Sequence, residues 1–229
     1  MTSIEILVLE HEREVPAALF GDWAEERGHI LRTVSAPELE RWPDPQAYDA
    51  VVSLGSDRSV TGASERWIAR EIELLRRAHD SGVPVLGICF GAQALSTALG
   101  GQVSRGARIA LDWTTLETHE RELISPGPWL RWHEDVLTVP PGAREVARAG
   151  AVPLAFVHGT SIGVQFHPEV DAALAHAWIE ESQRKLLETA IDQADLRRQV
   201  ALAAPGAYAR ARELFDRIAG LWRGQPIRR

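Results

Sequence analysis

Cysteine and methionine are nearly missing from these 229 residues, with one of each. A lone cysteine closes no internal disulfide, so such links are excluded as the source of stability. Positive charge is also short. The 25 Lys and Arg against 32 Asp and Glu leave a formal net charge of −7, and no overall basic field is present to hold a nucleic-acid backbone or an anionic membrane. No apolar run approaches the roughly 20 residues that a membrane-spanning helix needs. The opening "MTSIEILVLEHERE" turns acidic too soon for a signal peptide, so a soluble, cytoplasmic protein is expected. There is no Gly-x-x-x-x-Gly-Lys phosphate loop, no internal repeat and no low-complexity linker. His133, Glu134, Asp135 and His158 lack a distinctive metal-ligand spacing, and no metal is expected. What is present is an ordinary globular balance, 45% hydrophobic and 25% charged, sufficient for one main core.

The first hundred residues alternate strand and helix patterns. "IEILVL" (4–9) reads as a strand, "PAALFGDWAEER" (16–27) as a helix and "HILRTV" (29–34) as a second strand. After the Pro-rich loop "RWPDPQ", "YDAVVSLG" (48–55) is a third strand, apolar throughout, as a strand covered on both faces must be. A helix over 64–80, the strand "VPVLGI" (83–88) and a glycine-closed helix over 91–101 follow. This order predicts an α/β fold, a three-layer sandwich with a central, mostly parallel sheet of flavodoxin-like type. Beyond residue 101 short strand patterns separated by Pro and Gly predict added antiparallel strands before the sheet resumes at "IGVQF" (162–166). From Asp171 the chain reads as helix. A composition shift after residue 188 divides the expected main domain (1–188) from a C-terminal helical extension (189–229).

The single thiol, Cys89, stands in "GICFGAQ", where an apolar strand turns at once into a helix. Small residues at 87 and 91 leave room for a sharp turn that exposes the side chain, in the manner of a nucleophile elbow. There the helix N-terminus favours a thiolate, and the N–H of Phe90 can face a developing oxyanion. A thiol nucleophile needs a base, and the base needs an orienting acceptor. "IGVQFHPEV" supplies both, with His167 at the end of a predicted strand and Glu169 two residues on, so Cys89, His167 and Glu169 are the candidate triad.

"GICFGAQ" and "GVQFHPEV", about eighty residues apart, resemble the two signatures of the class I glutamine amidotransferases. The resemblance runs over roughly residues 1–185. Stand-alone proteins similar to the amidotransferase domain of GMP synthase are nearer still, since a His-x-Asp followed by Pro-Pro-Gly-Ala is familiar there and "WHEDVLTVPPGA" stands at 132–143. The resemblance implies attack of Cys89 on the side-chain amide of L-glutamine through a γ-glutamyl thioester. It further implies proton transfer by His167, orientation by Glu169, help from Gln93 in holding the substrate, and no cofactor. Ammonia would pass to a separate synthetase subunit, and a stand-alone hydrolase of another γ-glutamyl amide or peptide is the alternative.

One loop departs from the family pattern. Where Gly-Gly-Pro is usual after the third strand, "SLGSDRSV" keeps Gly55 and places Ser56 and Asp57 next. Backbone donors from Gly55 and Ser56 remain available to an oxyanion hole, and Asp57 and Arg58 are candidate contacts for the substrate's α-amino or carboxylate group. Eight Trp are many for this length, and Trp113, Trp129 and Trp132 fall close together in sequence. The tail segment "YARARELFDRIAGLW" lines up Leu214, Phe215, Ile218 and Leu221 on one helical face, with Arg210, Asp216 and Arg217 left for the other. That face packs on its own domain or makes a homodimer or partner contact.

Overall fold

The computed structural model describes residues 3–61, 65–188 and 191–223. The first two residues, the start of the predicted helix at Ser64, the beginning of the expected extension at 189–190 and the chain end from 224 lie outside the described residues.

The N-terminal half runs β1 (Glu5–Glu10), α1 (Ala18–Glu26), β2 (Ile30–Ser35), β3 (Ala50–Ser53), α2 (Arg66–Asp80), β4 (Val85–Ile88) and α3 (Phe90–Ala98). Then come β5 (Val103–Thr114), β6 (Glu117–Thr118), β7 (Trp129–Leu137), β8 (Arg144–Ala149), β9 (Val152–His158) and β10 (Ser161–Val164). Four helices follow: α4 (Ala172–Glu181), α5 (Gln183–Leu187), α6 (Gln193–Ala203) and α7 (Ala207–Trp222). Eight strands form one sheet in the order β2-β1-β3-β4-β10-β9-β8-β6. The five from β2 to β10 are parallel, and β9, β8 and β6 continue the sheet antiparallel. β5 and β7 pair separately as a two-stranded antiparallel ribbon.

The continuous apolar run of β1 is buried on both faces, and its period of two sorts it between two cores. Ile6 and Val8 join Phe20 and Trp23 of α1 and Leu214, Phe215 and Ile218 of α7. Leu7 and Leu9 join Ile68, Leu74 and Leu75 of α2 and Leu95 of α3. Helices therefore cover both sheet faces, and the expected three-layer α/β arrangement is present.

α7 turns its predicted apolar stripe inward, with Phe215 edge-on to Phe20 at 5.1 Å between ring centres. Asp216, expected on the outer side, turns instead to α1, accepting from Trp23 Nε1 at 2.9 Å and pairing with Arg27 at 2.5 Å. The three middle tryptophans do not form one patch. Trp129 packs on Phe166, Trp132 meets Trp178, and the Trp113 N–H of the backbone donates to Gln199. Among the described residues no helix is long and apolar enough to cross a membrane, and no group of three or more His, Cys, Asp or Glu is placed to hold a metal ion.

Candidate active site

β4 ends at Ile88 and α3 begins at Phe90, so the whole turn falls on Cys89. Its φ of 52° and ψ of −104° lie where a side chain is rarely found, a strain that surrounding structure must hold in place. The Cys89 N–H donates to the Val164 carbonyl at 2.8 Å, and the Gly91 N–H to the Leu54 carbonyl at 3.0 Å. The two flanking glycines are required by close approach. A Cβ on Gly87 would stand 2.4 Å from the Gly91 carbonyl oxygen, and one on Gly91 would stand 2.1 Å from that of Ser53.

Cys89 is only 5% exposed. Its Sγ lies 3.7 Å from the Trp132 carbonyl, to which it donates, and 3.6 Å from Nε2 of Gln165, which donates to the sulfur. Cys89 and the buried imidazole of His167 border the same cavity. That ring presents Nδ1 to Glu169 Oε1 at 2.7 Å, which leaves Nε2 as its second nitrogen. Burial pushes the His167 pKa down, but the Glu169 carboxylate first, and the Cys89 sulfur after it, raise it well above the ordinary 6.5. His167 and Glu169 are thus in contact, and Cys89 stands in the same cavity wall as His167.

The strand leading to His167 is shorter than its apolar run predicts. Regular pairing stops at Val164, and Gln165 turns its side chain to Cys89 and Gln93. His167 then joins β7, its N–H donating to the Leu130 carbonyl at 2.8 Å. The departure from the sheet puts His167 in the wall of the cavity that Cys89 borders.

The loop after β3 closes another side. A Cβ built on Gly55 would lie 3.1 Å from Cε1 of His167, so the Gly55 backbone abuts the imidazole. Among the described residues the backbone N–H groups of Gly55, Ser56 and Phe90 have no hydrogen-bond partner. Ser56 Oγ donates to Glu12 Oε1 at 2.7 Å. Burial lifts the Glu12 carboxyl to about 7, opposed by that hydroxyl and helped by the neighbouring Asp57. Asp57 and Arg58 are exposed at the mouth, where Arg58 pairs with Asp57 at 3.4 Å and with Glu65 at 3.7 Å. Gln93 is buried, with Nε2 donating to the Asp135 carbonyl and to Gln165 Oε1, both at 3.3 Å.

These groups border a cavity of about 360 Å³ that reaches from Cys89 and His167 to Asp57, Arg58 and Asp135. His133 is also in its wall. Burial drops its pKa to about 4, and its Nδ1 faces the Asp135 carbonyl at 2.9 Å, so the ring is neutral. His158 lies elsewhere, against His79.

Sequence reasoning passed over Gln165, Trp178, His11 and Glu71. Trp178 packs edge-on against the His167 ring at 5.0 Å. His11 and Glu71 pair in the interior at 2.9 Å. A signal for Glu71 does exist, because it shares a helical face with Ile68, Leu75 and Ala78, a carboxylate inside an apolar stripe.

Residues 35–184 match the family model described as Glutamine amidotransferase class-I. Over 102 residues the chain is 42% identical to the GMP synthase (glutamine-hydrolyzing) of Thermus thermophilus, a match covering 41% of this chain and 20% of that protein. The corresponding enzyme of Clostridium acetobutylicum is 34% identical over 131 residues, covering 53% and 24%. The matches thus span about a quarter or less of these relatives' length. Among solved structures, a glutamine amidotransferase from Thermotoga maritima superposes with a TM-score of 0.83 at 25% identity, covering 95% of this chain and 99% of that one. A glutamine amidotransferase from Methylobacillus flagellatus gives 0.87 at 20% identity, covering 100% and 98%, and this likeness is one of fold. Because the family match takes in both the Cys89 elbow and the His167 strand end, the chain belongs to the class I glutamine amidotransferases.

Proposed function

We propose that the protein hydrolyses the side-chain amide of L-glutamine, using Cys89 as nucleophile, His167 as general base and acid, and Glu169 as the group that orients and charges the imidazole. The reading is carried by one observation: the only thiol of the chain is held on a strained elbow and borders one cavity with a histidine whose Nδ1 faces a buried carboxylate at 2.7 Å. His167 takes the thiol proton as sulfur attacks the amide carbon, and the resulting oxyanion is met by the N–H of Phe90 and by those of Gly55 and Ser56. The C–N bond breaks as His167 returns the proton to the leaving ammonia. Water, deprotonated by His167, then attacks the γ-glutamyl thioester, and glutamate leaves as the thiol is restored.

Asp57 and Arg58 at the cavity mouth and Gln93 within it offer charge and an amide to the α-amino and carboxylate groups of the substrate. The named activity of the relatives supports glutamine as that substrate, and a separate synthetase as the acceptor of the ammonia. A second reading, cleavage of a different γ-glutamyl amide without any partner, is favoured by the loop at 55–57, where Ser56 is tied to Glu12.

The test is release of glutamate and ammonia from L-glutamine by the purified protein beside Cys89→Ala. We expect turnover that falls to background in the variant. Turnover unchanged in Cys89→Ala would remove the nucleophile assignment, and cleavage of other γ-glutamyl amides with none of glutamine would select the second reading.

A further inference from the structure

His11 and Glu71 are buried, ionisable and without a part in the chemistry above. His11 follows β1 at the carboxyl end of the parallel strands, and Glu71 lies within α2. Nε2 of His11 stands 2.9 Å from Glu71 Oε2 and 3.2 Å from Oε1, while Nδ1 stands 2.8 Å from the Gly55 carbonyl oxygen. A carbonyl only accepts, so Nδ1 carries a proton and donates it to this bond. Glu71 Oε1 accepts a further bond from Ser53 Oγ at 2.6 Å. The imidazole stacks on Trp67 with ring centres 5.2 Å apart and meets Phe90 edge-on at 4.8 Å. One side chain therefore touches both the Gly55 peptide and the residue that follows the nucleophile.

Burial opposes a charge on His11, but the Glu71 carboxylate outweighs it and raises the imidazole's pKa. A buried ion pair is often replaceable by apolar side chains at little cost in stability. What apolar side chains cannot do is donate to Gly55. The Gly55 carbonyl and the Ser56 N–H belong to one planar trans peptide and point in opposite directions. Fixing the carbonyl on His11 turns the Ser56 N–H away from that ring, and Ser56 is in the wall of the cavity that Cys89 and His167 also border.

We propose that His11, held by Glu71, is a positioning residue that aims the Ser56 N–H at the oxyanion formed when Cys89 attacks a carbonyl. The proposal rests on the reading of Cys89 as nucleophile. It does not depend on which amide is the natural substrate.

Two probes of the same thiol separate positioning from mere structure. p-Nitrophenyl acetate acylates a thiolate through an oxyanion, forming the C–S bond and expelling p-nitrophenolate. Iodoacetamide alkylates it by displacing iodide, with no oxyanion formed. Losing one oxyanion donor costs about a hundredfold in rate, so His11→Leu should slow Cys89-dependent acylation by about that factor and leave alkylation within about twofold. His11→Asn, whose amide nitrogen can stand where Nδ1 stands, should recover most of the acylation rate, whereas His11→Gln should not. Equal slowing of both reactions, unchanged acylation in a folded His11→Leu, or equal rates in the Asn and Gln variants would each overturn the proposal. If His11→Leu does not fold, the Asn and Gln pair still decides. Absence of Cys89-dependent acylation in the unaltered protein would overturn the nucleophile assignment and the proposal together. The ester assay needs no glutamine, so a protein inactive on glutamine still gives the answer.

Discussion

Glu169 has none of its surface exposed, and its Oε1 is held by His167 while Oε2 is buried with no hydrogen-bond partner among the described residues. Its charge is therefore directed at one imidazole. Because the folded-state pKa of His167 lies above the ordinary value, the stability it contributes is complete below about pH 6.5 and is lost as pH rises through the raised value. Glu169→Gln removes the leading cause of that rise. The urea midpoint of the wild type should then exceed that of Glu169→Gln most near neutral pH, and the gap should narrow as the solution is made alkaline. A gap that widens with pH would mean that His167 is not the group Glu169 charges. The three residues of this set were legible in the sequence because the two motifs place each at a strand end, beside the glycines or the proline that shape its turn. Gln165 was not, because it reads as one more residue of an apolar strand until the strand is seen to end before it. The pairing of His11 with Glu71 was hidden by a separation of 60 residues, which leaves a histidine after β1 looking like a loop residue and gives the carboxylate in the apolar stripe of α2 no visible partner.

At the level of elements, the turn at Cys89 is held from below by β3. Gly91 presses on Ser53 so closely that a methyl group there must move backbone, since its nearest neighbour would be a carbonyl oxygen 2.1 Å away. Overpacking of this kind costs about 1–3 kcal/mol, and Gly91→Ala should lose about that much in denaturant titration. It should also slow alkylation of Cys89, because the displaced helix start carries the thiol with it. A folded Gly91→Ala with wild-type stability and thiol reactivity would show that the elbow yields more readily than the contact implies. The parallel strands β1, β3 and β4 were legible from continuous apolar runs, and α3 from its glycine boundaries. The pairing of β5 with β7 outside the main sheet was not, since alternation within a strand carries no information on which sheet it joins.

For the whole molecule, α7 closes the face of the sheet covered by α1. Phe215 is buried against Phe20 and Trp23, and the Trp23–Asp216–Arg27 contacts fasten the two helices at their polar edge. Phe215→Ala should cost about 3–5 kcal/mol, read as a lowered unfolding temperature, while Cys89 keeps its reactivity at temperatures where the variant is still folded. Loss of thiol reactivity in the folded variant would show that α7 shapes the site as well as the core. The stripe Leu214, Phe215 and Ile218 was readable from spacing alone, but its destination was not, because a stripe of that width suits a neighbouring helix or a second chain equally well. The solitary thiol has one further consequence, in oxidation chemistry. A sulfenic acid formed on Cys89 has no second cysteine within these 229 residues to condense with, so reversal to the thiol depends on an external thiol reaching a buried residue, and without one the oxidation proceeds toward irreversible acids.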